Sequence, residues 1–125
     1  MNTKPLALII EDNEDQNLVF TTALNQAGYE TESIRDGETA MKRLTDVVPE
    51  MVILDLHIPG INGGLLLREI RKDPRTKNTH VIIVSADAEF AAGLQSQVDL
   101  VLLKPVSYIQ LSLLASRFLN ASKTS

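Results

Sequence analysis

Four short, unbroken apolar runs set the strongest limit on what this chain can fold into: residues 6–10, 51–54, 81–84 and 100–103. Each is too short for a helix and too continuous for a strand with one wet face. Such runs suit strands of a parallel sheet covered on both sides. A fifth and weaker strand is expected at 29–34, where Thr31 and Ser33 alternate with charged residues, and its polarity assigns it to a sheet edge.

The segments between the runs carry the helical period. Phe20, Ala23, Leu24 and Ala27 form one stripe, with Gly28 where a C-terminal cap belongs. Asp36 can cap a second helix containing Ala40, Leu44 and Val47, stopped by Pro49. A third helix carries Leu66, Leu67 and Ile70 and ends before Pro74; the last carries Leu111, Leu114, Ala115 and Phe118. The stretch 88–97 reads as a short, poorly patterned helix. Strands alternating with helices imply right-handed βαβ crossovers, hence an α/β fold with a doubly wound parallel sheet of five strands and helices on both faces. The 125 residues fit a single domain over 1–125, with a core at about 6–118 and a polar tail, 120–125, expected to fray.

Composition narrows the function classes. The net charge is −4 and no basic run is longer than the Arg71-Lys72 pair, which argues against a nucleic-acid partner. With no cysteine, neither disulfides nor thiolate metal sites can form, and a cytoplasmic setting is expected. Glu11 and Asp12 interrupt the first apolar run too early for a signal peptide, and every run falls far short of the ~20 residues that span a bilayer, so no membrane partner is expected. Met1 favours a natural start of the chain.

In an open parallel sheet, ligands bind outside the carboxyl ends of the strands. After the first apolar run come Glu11 and Asp12, after the central one Asp55, after the fourth strand Ser85, and after the fifth Lys104-Pro105. Three carboxylates, a hydroxyl and an ammonium thus gather on one rim from segments distant in sequence. Crowded carboxylates repel, and a hard cation resolves the conflict; oxygen-only ligands suit Mg²⁺ better than zinc or copper. A carboxylate beside Mg²⁺ can attack a phosphoryl group, with the metal, Lys104 and Ser85 stabilising the transferring oxygens.

These residues, in this order, resemble the receiver domain of bacterial response regulators. The likeness runs from about residue 6 to 118 and rests on Glu11-Asp12, on Asp55-Leu56-His57-Ile58-Pro59-Gly60 with Gly63 following, on Ser85-Ala86 and on Lys104-Pro105. It implies a flavodoxin-like fold with strand order 2-1-3-4-5. It makes Asp55 the phosphoacceptor, and Asp12, Asp55 and the backbone carbonyl of His57 the direct Mg²⁺ ligands, with Glu11 acting through a metal-bound water. Ser85 becomes the hydroxyl that follows the phosphoryl oxygen, and Lys104 its salt-bridge partner, with a cis Lys104-Pro105 bond. His57 and Asp87 take the two positions that flank the phosphoryl group. The implied partners are a histidine kinase or phosphotransfer protein and an unidentified output protein.

Three departures from the family pattern stand out. Val101 occupies the place, three before the lysine, where the family usually has the aromatic residue that reports phosphorylation. Ser85 and Lys104 are 19 positions apart, about three residues, nearly one helical turn, fewer than the family leads one to expect. The deficit falls in 88–97, so the fourth helix should be short or distorted and the usual dimer face is in question. Asn62 stands where Asp is frequent, and either residue can cap a helix.

Two other functions compete. A pseudo-receiver acting only as a protein-binding module would typically lack one of the site residues, all of which are present. An aspartyl-nucleophile phosphatase of the haloacid-dehalogenase type would have a second Asp two positions after the first, where this chain has His57, and a cap domain for its substrate. The residues favour a phosphoaccepting signalling domain, which is not an enzyme beyond catalysing its own phosphorylation and dephosphorylation. Bland alternatives fit less well: Asp55 ends the most central apolar run, where an unpaired charge would be costly. The run Leu65-Leu66-Leu67 reads as core packing, and His57 lacks a second histidine nearby for a zinc site.

Overall fold

A computed structural model describes the backbone of residues 3–124 and side chains through residue 119. The elements alternate along the chain: β1 (Leu6–Ile10), α1 (Glu14–Ala27), β2 (Glu30–Ile34), α2 (Gly37–Asp46), β3 (Met51–Asp55), α3 (Gly63–Lys72), β4 (His80–Ser85), α4 (Ala88–Leu94), a 3-10 turn (Gln95–Gln97), β5 (Leu100–Leu103) and α5 (Tyr108–Thr124). All strand pairings are parallel and the sheet order is β2-β1-β3-β4-β5, so the doubly wound fold and its strand order are as expected.

The apolar runs are continuous because both faces of the sheet are covered. Successive side chains alternate between the faces: Leu8 and Ile10 of β1, Val52 and Leu54 of β3, and Val81 and Ile83 of β4 pack with Ala40, Leu44, Leu66, Leu67, Ile70 and Ala91 from α2, α3 and α4. Ala7, Ile9, Met51, Ile53, Ile82 and Val84 face the other way, against Phe20, Ala23 and Leu24 of α1 and Leu111, Ala115 and Leu119 of α5. β2 and β5 form the edges, and only the last residue of β2, Ile34, is buried.

The helix boundaries follow the caps. Asp36 accepts from Thr39 N–H and Asn62 from Leu65 N–H, while Gly28, at φ 110, closes α1 in the left-handed region that glycine tolerates. Tyr29 precedes β2 instead of opening it: its side chain is buried and its hydroxyl donates to Ala115 O at 2.9 Å. Of the three leucines at 65–67, Leu66 and Leu67 are core, but Leu65 is 47% exposed. The stretch 88–97 is indeed short, a two-turn helix finished by the 3-10 turn. Of the expected tail, 120–125, the backbone is helical through Thr124, and its side chains lie outside the described residues. Among the described residues, no helix is long and apolar enough to cross a membrane.

Candidate functional site

The carboxyl ends of β1, β3, β4 and β5 open onto one rim, and each delivers the residue that the sequence suggests. Glu11, directly after β1, is completely buried, whereas Asp12 is exposed. Asn13 then caps α1 by accepting from Gln16 N–H, and its own N–H donates to Glu11 Oε2 at 3.1 Å. The acidic first turn, Glu14 and Asp15, suits the positive end of the helix.

Asp55 is the last residue of β3 and is 5% exposed. His57 N–H donates to its Oδ1 at 3.2 Å. The loop beyond needs glycine twice. Gly60 has φ 81, and a Cβ on Gly63 would come within 2.7 Å of the Leu56 backbone, so α3 starts hard against the loop that carries Asp55.

Lys104 reaches in from the end of β5. Its Nζ lies 2.8 Å from Glu11 Oε1 and 3.2 Å from Asp55 Oδ2, its N–H donates to Ser85 O at 2.8 Å, and the Lys104-Pro105 bond is cis. Ser85 is fully buried, and its Oγ accepts from Asp87 N–H at 2.9 Å. Asp87 caps α4 through Phe90 N–H and also pairs with His57 Nε2 at 3.2 Å, while the His57 ring packs edge-on to Phe90 at 5.5 Å. A second, exposed contact, between an imidazole and a carboxylate, therefore bridges the loops after β3 and β4 at the mouth of the site. Val101, at the position usual for an aromatic, is partly buried against the α3–α4 side of the core.

The charges on this rim do not balance. One oxygen each from Glu11, Asp12 and Asp55 lies within 4.8 Å of the others, and a single ammonium serves the group. Burial raises the pKa of Glu11, an effect that Lys104 and Asn13 N–H only partly offset and that the charge of Asp55 reinforces. Lys104 is pulled down by burial, yet its contacts with Glu11 and Asp55 hold it above the ordinary lysine value. Asp87 is held low by Phe90 N–H and by His57. An all-oxygen donor set with excess negative charge fits a hard divalent cation of the Mg²⁺ kind, and His80, at the far end of β4, is not placed to join His57 in a zinc site.

One residue at the rim escaped the sequence reading. Asn17 is 3% exposed, and its carboxamide lies behind the Glu11–Asp12 turn. The spacing Asn17–Phe20–Leu24 puts it on the buried stripe of α1 and was the available signal.

Comparison with known proteins agrees with the geometry. A family model described as the response regulator receiver domain matches residues 7–115. The chain is 30% identical over 122 residues to the phosphate regulon transcriptional regulatory protein PhoB of Rhizobium meliloti, covering 95% of this chain and 54% of that protein. It therefore spans about half the length of that relative. Among solved structures, the signal receiver domain of a signal transduction histidine kinase from Syntrophus aciditrophicus is 26% identical, with TM-score 0.84 over 97% of this chain and 94% of that one. A sensor protein from Polaromonas is 27% identical, with TM-score 0.83 over 95% and 98%.

Proposed function

The chain belongs to the response regulator receiver domain family, a signalling domain of two-component systems, and on that premise we propose that Asp55 accepts a phosphoryl group in a Mg²⁺-dependent reaction. The observation that carries this is the Lys104 ammonium lying between Glu11 and Asp55 while three carboxylates crowd within 4.8 Å. Asp12 and Asp55, with the His57 carbonyl, would hold the ion directly, and Glu11 would act through water. When bound, Mg²⁺ supplies positive charge beside the oxygens of the transferring group.

The residues of the chain do the rest. An Asp55 carboxylate oxygen forms a bond to phosphorus as the bond from phosphorus to the donor breaks, releasing imidazole from a phosphohistidine or acetate from acetyl phosphate. Lys104, already within 3.2 Å of Asp55, follows the growing negative charge on the phosphoryl oxygens. Ser85 follows Val84, the register partner of Asp55, and its hydroxyl, which accepts from Asp87 N–H, would donate its hydrogen to the same oxygens. In this reading the donor is a histidine kinase or a phosphotransfer protein in a cytoplasmic setting, and the signal leaves by protein-protein interaction. Val101, packed against the α3–α4 side of the core, has no ring to serve the aromatic route of transmission.

Incubation with acetyl phosphate and Mg²⁺ tests the proposal. A receiver gains one acid-stable, hydroxylamine-labile phosphate; turnover of an added phosphate monoester would point to a phosphatase, and no phosphate at all to a binding module.

A further inference from the structure

Asn17 is a polar side chain inside a packed helix face, and every polar atom of it is engaged. Its Nδ2 donates toward Glu11 O at 2.9 Å, Ile9 O at 3.2 Å and Ile34 O at 3.4 Å. Its Oδ1 accepts from Thr21 Oγ1 at 3.0 Å and from Ser33 Oγ. One carboxamide therefore ties the ends of β1 and β2 to α1. The Glu11 N–H is fixed as well, donating to Ile34 O at 3.0 Å.

The consequence falls on Asp12. Asp55 and Glu11 each have side-chain anchors, from Lys104 and from backbone N–H groups. Among the described residues, no hydrogen bond restrains the Asp12 carboxylate, so its direction depends on the peptide joining residues 11 and 12. The carbonyl of that peptide is the one Asn17 holds at 2.9 Å. We propose that Asn17 is a positioning residue for the metal-binding half of the site, locking the Glu11–Asp12 peptide so that the Asp12 carboxylate stays beside Asp55.

The proposal rests on the reading of Glu11, Asp12 and Asp55 as a Mg²⁺ site. It differs from a purely structural role because groups that orient ligands from behind typically alter metal affinity about 10- to 100-fold when removed. The same residue simply filling core space would change stability alone.

The test is Mg²⁺ titration of the full chain by calorimetry, with the backbone amide resonances of Asp12 and Asn13 followed in parallel. Wild type should bind. Asn17→Ala, still folded, should bind about 10- to 100-fold more weakly with altered Asp12 and Asn13 resonances. Leu24→Ala, a core truncation in the same helix, should lower thermal stability and leave Mg²⁺ affinity alone. Should Asn17→Ala fail to fold, Thr21→Val combined with Ser33→Ala decides the matter. That pair removes both donors to Asn17 Oδ1 and so loosens the hold of Nδ2 on Glu11 O, and a several-fold loss of affinity is expected. Unchanged affinity in a folded Asn17→Ala, or in the double variant when the first does not fold, overturns the positioning role but leaves the site standing. A wild type that binds no Mg²⁺ overturns the site itself.

Discussion

β3 is buried along all five residues and packed on both faces, and it ends in Asp55; β5 runs along the sheet edge, half-exposed until Leu103 at 52%, and hands on to Lys104. Both strands deliver a charge to the same rim, but by opposite means. The carboxylate has one short side chain, so its position is only as good as its backbone, and the backbone sits in the best-packed part of the molecule. The ammonium sits on a flexible four-carbon stem that spans the gap from a weakly held strand. Precision of placement is concentrated where the side chain offers no slack.

That contrast can be broken by truncating each strand in turn. Ile53→Ala removes a fully buried side chain from β3 and should cost about 2–5 kcal/mol, read by urea unfolding. A cost near zero would mean that β3 is not the anchor of the rim. Lys104→Ala, assayed with acetyl phosphate at saturating Mg²⁺, should slow phosphorylation about 100-fold or more, the range found when a donor to a developing oxyanion is lost. A rate close to wild type would leave the lysine as a passive counter-ion.

A third, smaller effect follows from the raised pKa of Glu11. Because the folded protein holds that proton more tightly than the unfolded chain, the contribution is fully present below the unfolded value. It disappears as pH rises through the folded one. Unfolding in EDTA across a pH series should show this loss in wild type and not in Glu11→Gln. Mg²⁺ should bind more weakly as pH falls through the same range, since the proton must leave first. The smallest effect belongs to the edge: Leu103→Ala should change stability by no more than about 0.5 kcal/mol, because half of that side chain already faces solvent.

Much of this was legible in the sequence, for a physical reason. Strands covered on both faces must be apolar throughout, so β1, β3 and β4 announced themselves. β5 was marked by its apolar run although it lies half-exposed at the edge, and the charged residues that follow these runs had to lie on the rim. Asp36, Asn62 and Gly28 marked helix ends because capping chemistry is local. What could not be read were pairings that exist only once distant segments meet. Asn17 meets the ends of β1 and β2. Arg71 donates to Thr79 O and Gln97 O, and Asp99, which pairs with Arg71, accepts from Val81 N–H. Tyr29 seemed a strand residue by type, but its hydroxyl is committed to Ala115, 86 positions along the chain. The bridge between His57 and Asp87 joins two loops whose closeness depends on the β3–β4 register.

Peptide-resolved mass spectrometry after exposure to acetyl phosphate and Mg²⁺ tests the central assignment most directly, comparing wild type with Asp55→Asn. A single added phosphate on the peptide containing residue 55, absent from the variant, is the expected result. Equal labelling of the two proteins, or a phosphate carried on any other peptide of the wild type, would contradict it.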